Sequence, residues 1–172
     1  MNHVFLVGFM GAGKSTVARL VAEKLGRPCI DVDELIESDT GHKVAEIFAL
    51  RGEQGFRDLE AATLESLELQ PASIVACGGG IVVRPENRAT LHRLGKVVYL
   101  RVTTGEALAR IGDMRSRPLL AGEGGALAAT ALLQARDALY RSVADISIDT
   151  VGKNARAVAD EVVASLSTEG PV

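Results

Sequence analysis

Residues 8–16 read Gly8-Phe9-Met10-Gly11-Ala12-Gly13-Lys14-Ser15-Thr16, directly after the apolar run Val4-Phe5-Leu6-Val7. A buried strand that runs into glycines and then into a helix exposes bare backbone N–H groups at the turn, and these form a cradle for an anion. The stretch matches G-x-x-x-x-G-K-[ST] in full. In that pattern Gly11, Ala12, Gly13, Ser15 and Thr16 lie against the phosphates, Lys14 reaches the β- and γ-phosphates, and the Ser15 hydroxyl holds Mg²⁺. A glycine-rich turn that carries a lysine by chance would not also need the preceding strand and the following helix. The motif establishes nucleotide binding but leaves kinase, GTPase and motor open.

The remainder of the chain narrows the choice. It has 172 residues, enough for one domain (1–172) with a substantial core. Apolar residues make up 47%, aromatics only 3%, and Trp is absent, so a base-stacking platform is not expected. The net charge of −3 argues against a broad nucleic-acid surface. No apolar run reaches the roughly 20 residues of a membrane span, and the N-terminus has no signal-peptide pattern. A cytoplasmic monomer that binds neither nucleic acid nor membrane is expected. Cys29 and Cys77 lie in apolar runs without metal-type spacing and read as two reduced, buried thiols.

Apolar runs alternate with amphipathic segments. Strands are expected at 4–8, 28–32, 73–80, 96–102 and 145–148. Helices are expected at 14–25, 34–38, 44–51, 53–69, 86–94, 105–111, 126–140 and 155–166, with a frayed tail from Ser167. Strands separated by helices imply right-handed crossovers and a parallel sheet covered on both faces, here of five strands. Ligands of such sheets bind beyond the carboxyl ends of the strands, so the residues just after each strand are where chemistry is sought.

After the second strand come Asp31-Val32-Asp33. Alternation in an extended chain points both carboxylates to one side. One suits Mg²⁺ and its waters, the other the proton of a substrate hydroxyl. Asp33 also precedes a helix, and its plainer reading is that helix's N-cap. Arg57 and Glu60 share a helix face, where a surface ion pair is the simpler reading. Arg117 and Arg136 bring further planar forks suited to carboxylate or phosphate. No N-K-x-D guanine motif occurs, and the third strand ends in Gly78-Gly79-Gly80 rather than in an acid, which disfavours GTPases and motors.

Taken together, GFMGAGKST, the DVD, IFALRGEQGFRDLE, CGGG and SRPLL…ARDALY resemble the shikimate kinase family in order and spacing, over roughly 4–150. The resemblance implies a three-layer α/β/α P-loop kinase with a substrate-binding helical region (33–60) and a lid (112–124). It implies transfer of the ATP γ-phosphoryl to the 3-hydroxyl of shikimate. Arg57 and Arg136 would then meet the substrate carboxylate, with Glu60 holding Arg57. Asp33 and the Gly78-Gly79-Gly80 turn would meet ring hydroxyls, and Phe48 and Phe56 would wall the pocket. Arg117 would swing to the phosphates with the lid, Arg110 would lie near adenine, and Asp31 would join Ser15 at the metal. After the last Asp-Thr this chain carries Lys153 and Ala155, where the family often has a basic residue followed by proline. Lys153 is the candidate adenine-side cation. The rivals are another small-molecule kinase such as a gluconate kinase, a nucleoside monophosphate kinase, and a nucleotide-dependent binding module without turnover.

Overall fold

The structure is a computed structural model that describes residues 2–111 and 125–168. Its elements run β1 (His3–Val7), α1 (Lys14–Leu25), β2 (Cys29–Asp31), α2 (Val32–Thr40), α3 (Val44–Ser66), a 3₁₀ turn (Leu67–Leu69), β3 (Ile74–Ala76), α4 (Pro85–Leu94), β4 (Gly95–Arg101), α5 (Thr104–Ile111), α6 (Gly125–Val143), β5 (Ile146–Asp149) and α7 (Ala155–Thr168). All strand pairs are parallel, in the order β2-β3-β1-β4-β5. The expected five-stranded parallel α/β fold is therefore present.

β1 is the middle strand, and its five consecutive residues are all buried. Side chains alternate between the faces of a strand, so helices must cover the sheet on both sides. α1 and α7 pack together, while α4 and α6 meet each other and β4. The core is aliphatic, with Leu6, Ile74, Val98, Leu100 and Val162 fully enclosed. His3 is buried at the lower end of β1. Its two ring nitrogens meet the Leu67 carbonyl at 2.9 Å and the Ser73 N–H at 3.1 Å, which closes off the sheet floor.

Four expectations change. The second strand stops at Asp31 and α2 begins at Val32, because the Asp31 carboxylate accepts the backbone N–H groups of Asp33 and Glu34 and so caps the helix. The N-cap is Asp31, and Asp33 lies in the first helical turn. The helices expected at 44–51 and 53–69 run on as α3, broken only at Gly52, whose φ of 68° a residue with a side chain would avoid. Cys77 is buried, and burial pushes its thiol up from the ordinary value, but Cys29 is exposed, since β2 is an edge strand. Ser167 and Thr168 belong to α7 and not to a frayed tail. The lid 112–124, Arg117 included, lies outside the described residues.

Candidate active site

Three neighbouring strands, from the edge of the sheet to its middle, end together. β1 leads into the glycine loop, β2 into Asp31 and Asp33, and β3 into Cys77-Gly78-Gly79-Gly80. They enclose a cavity lined by Met10, Gly11, Gly13, Lys14, Ser15, Thr16, Asp31, Asp33, Cys77, Gly78 and Gly79. The loop takes its shape from glycines 8, 11 and 13, at φ 145°, 77° and 87°. The Lys14 ammonium donates to the carbonyls of Gly8 at 2.8 Å and Phe9 at 3.0 Å, which tethers it to the cavity wall.

The Ser15 hydroxyl donates to Asp31 Oδ2 at 2.5 Å. A hydroxyl and a carboxylate held together at the mouth of an anion cradle are the donor types a hard divalent cation takes. Mg²⁺ commonly keeps waters and phosphate oxygens besides one or two such protein ligands. The residues present therefore fit that ion.

A second cavity opens beside the first, lined by Met10, Asp33, Val44, Phe48, Phe56, Arg57, Glu60, Gly78, Gly79, Gly80 and Arg136. Every acceptor-side residue expected from the sequence is here. The Phe48 and Phe56 rings sit 4.7 Å apart as an apolar wall. Arg57, Glu60 and Arg136 are 5%, 0% and 5% exposed, so the bland surface-pair reading of Arg57 and Glu60 fails. Arg57 Nη1 donates to Glu60 Oε2, and Nη2 donates to Glu53 Oε1 at 3.1 Å. Burial alone would lower the Arg57 pKa, but the Glu60 and Glu53 carboxylates outweigh it, and the net shift is upward. Burial raises Glu60 above the ordinary carboxylate value, with Arg57 pulling against it. Arg57 Nε and Glu60 Oε1 are buried and have no hydrogen-bond partner among the described residues. Buried polar atoms in that condition suit a polar ligand better than an apolar one.

The glycine turn is what admits these charges. A methyl group at Gly78 would stand 2.7 Å from Glu60 Oε1 and 2.9 Å from Asp33 Oδ1, and one at Gly80 would overlap the Arg57 guanidinium itself. Gly80→Ala is therefore expected to swing Arg57 aside and raise the half-saturating concentration of the acceptor about tenfold or more, the worth of one displaced charge-assisted bond. ATP affinity should hold. Steady-state kinetics with each substrate varied in turn will check this, and an unchanged acceptor KM would show that Arg57 is not held by this contact.

A third cavity lies across the loop, lined by Ala12, Gly13, Thr16, Val17, Arg110, Thr150, Lys153, Asn154, Ala155 and Val158. Arg110 donates to the Gly11 carbonyl, to Thr150 Oγ1 and to the Thr150 carbonyl at 3.0–3.3 Å. It is thus locked between the loop and the segment after β5. Lys153 pairs with Glu161 at 2.7 Å. Residues that sequence reading missed include Met10, shared by the first two cavities, Glu53, and Tyr140. Glu53 lies four residues before Arg57 and Tyr140 four after Arg136, so helical spacing was the available signal.

The family model described as Shikimate kinase matches residues 10–167 of this chain. A shikimate kinase of Burkholderia thailandensis is 42% identical over 170 residues, spanning 99% of this chain and 92% of its own length. The solved shikimate kinase from Acinetobacter baumannii in complex with shikimate superposes at a TM-score of 0.95 with 38% identity, covering 100% of this chain and 96% of that one. A gluconokinase from Sinorhizobium meliloti, with a TM-score of 0.58 and 18% identity over 98% of this chain and 93% of its own, shares the fold alone. The anion cradle, the arginine-lined acceptor cavity and these full-length likenesses agree: the chain belongs to the shikimate kinase family.

Proposed function

We propose that this chain transfers the γ-phosphoryl of ATP to the 3-hydroxyl of shikimate, giving shikimate 3-phosphate and ADP for aromatic amino-acid synthesis. One observation carries the residue roles. The phosphate cavity and the acceptor cavity share Met10, Asp33, Gly78 and Gly79 as a common wall. A hydroxyl seated in the second cavity therefore lies beside the terminal phosphate seated in the first, and Asp33 stands at the crossing.

The loop amides and Lys14 hold the phosphate chain and stabilise charge on its transferring end. Ser15 and Asp31 would hold Mg²⁺, which when bound would neutralise phosphate oxygens. Arg57 and Arg136 clamp the substrate carboxylate, Glu60 and Glu53 fix Arg57, and the Phe48–Phe56 wall takes the apolar side of the ring. Asp33 orients the hydroxyl and receives its proton. Arg110 and Lys153 line the cavity for the base. Arg117 is assigned to the phosphates, and 112–124 to a lid, on the resemblance alone. The reaction is placed in the cytoplasm, with a monomer as the working unit.

A coupled assay of ADP release tests this reading. ATP alone should give little ADP, and added shikimate should give one ADP per phosphorylated product. Turnover with gluconate or a nucleoside monophosphate instead would transfer the chain to a rival activity.

The carboxylate clamp has its own test. A charge-assisted hydrogen bond is worth about 1.5–3 kcal/mol, so Arg136→Ala should weaken shikimate binding by about ten- to a hundredfold. Calorimetry should find ATP affinity nearly unchanged. Unaltered shikimate affinity would sink the clamp.

A further inference from the structure

We propose that Tyr140 is a positioning residue for the acceptor site: its phenol holds the Gly79 carbonyl and, beside it, steadies the Arg136 guanidinium that meets the substrate carboxylate. The proposal rests on the assignment of the acceptor cavity to shikimate given above.

Tyr140 is fully buried on α6, one helical turn beyond Arg136. Its O–H donates to the Gly79 carbonyl at 2.5 Å. Arg136 Nη1 reaches the same oxygen at 3.3 Å, a much longer contact. Gly79 lines both the phosphate and the acceptor cavities. A peptide unit is planar, so pinning this carbonyl fixes the plane of the Gly79–Gly80 peptide on the acceptor cavity wall. Burial pushes the Tyr140 phenol up to about 12, while the charge of the Arg136 guanidinium, which also faces the phenol oxygen as a donor, pulls against it, so the phenol stays protonated throughout the neutral range.

The ring has its own support. Tyr140 stacks on Tyr99 with centroids 5.0 Å apart, and the Tyr99 hydroxyl donates to Asp137 Oδ1 at 2.8 Å. Removing only the Tyr140 oxygen therefore leaves the packing in place. Arg136 then loses the phenol oxygen beside it and is, among the described residues, the remaining side-chain donor to the Gly79 carbonyl. An arginine drawn closer to that carbonyl presents its fork less squarely to a carboxylate, whose bidentate recognition depends on geometry. The loss falls on shikimate and not on ATP.

The test is Tyr140→Phe beside Tyr99→Phe, both in the full chain, with ATP and shikimate varied separately and melting temperature recorded. In Tyr140→Phe the KM for shikimate should rise about three- to tenfold, the range of one neutral hydrogen bond, with kcat and the KM for ATP close to the parent and a melting temperature lower by about 2–4 °C. In Tyr99→Phe, whose hydroxyl bonds Asp137 and does not line the acceptor cavity, the KM for shikimate should stay close to the parent. A folded Tyr140→Phe with parental KM for shikimate overturns the proposal. So does a variant that melts lower and loses both substrates alike, since that marks packing only. The chain has only two tyrosines, so ¹³Cζ-tyrosine labelling gives two signals, assigned through Tyr99→Phe. If Tyr140→Phe does not fold, the parent protein decides: the Tyr140 signal should move on adding shikimate, and a signal that stays put overturns the proposal. A parent that releases no ADP in response to shikimate would defeat the assigned reaction instead, a distinct outcome.

Discussion

Asp33→Asn should lower shikimate phosphorylation by roughly 10²–10⁴-fold, the magnitude of a lost general base, while ATP still binds. The reason lies in where the carboxylate sits. Asp33 is in the first turn of α2, at the shared wall of the two cavities, with Oδ1 2.9 Å from where a methyl group on Gly78 would stand. Asparagine keeps the size and one acceptor oxygen, but it loses the charge and turns the other position into a donor. Phosphoryl transfer proceeds through a loose transition state that mainly demands alignment. The proton therefore leaves the hydroxyl late, and its acceptor must already be in place. Calorimetry with ATP and turnover with saturating shikimate separate binding from chemistry. Turnover within a factor of a few of the parent would reduce Asp33 to a helix-start residue and move the search to Asp31 or Glu60.

Lys14→Ala should cost roughly 10²–10³ in turnover, the scale of one removed charge-stabilising donor. The ammonium is tied to the Gly8 and Phe9 carbonyls at 2.8 and 3.0 Å, so its position is set by the loop rather than by a flexible reach. That preorganisation is what gives a point charge its catalytic worth. The same bonds give the residue a structural share. At this half-buried loop water replaces part of what is lost, so the stability cost should be about 1–3 kcal/mol in all, less than the stability of a typical domain. A folded Lys14→Ala protein with near-parental turnover would remove the lysine from the chemistry.

Sequence reading reached the elements and most of the site because both are written locally. The phosphate loop needs one strand, three glycines and one helix start within a short window, and all are contiguous. Arg57 and Glu60 were found as a pair by helical spacing, but their burial was not legible. It depends on Gly78 and Gly80, some twenty residues away, leaving room for them. The exchange of cap roles between Asp31 and Asp33 turned on a strand ending one residue earlier than alternation suggests. Cys29 was read as buried because its neighbours are apolar, whereas its exposure follows from β2 lying at the edge of the sheet. Strand order is a property of pairings between distant segments, and no local pattern encodes it. Tyr140 had a local signal in its spacing from Arg136, but its partner Gly79, 61 residues away, was not legible.

The strand order also decides how the molecule fails. In the proposed assignment ATP is gripped from β1, in the middle of the sheet, while Asp31 and Asp33 hang from β2, a three-residue strand at its margin. Margins fray before middles. A chain frayed in this way would keep its hold on ATP but lose its acceptor, which leaves water to take the phosphoryl and turns a biosynthetic catalyst into a slow leak of fuel. The Ser15–Asp31 hydrogen bond is the strap against this, since it buckles the marginal strand to the first turn of α1.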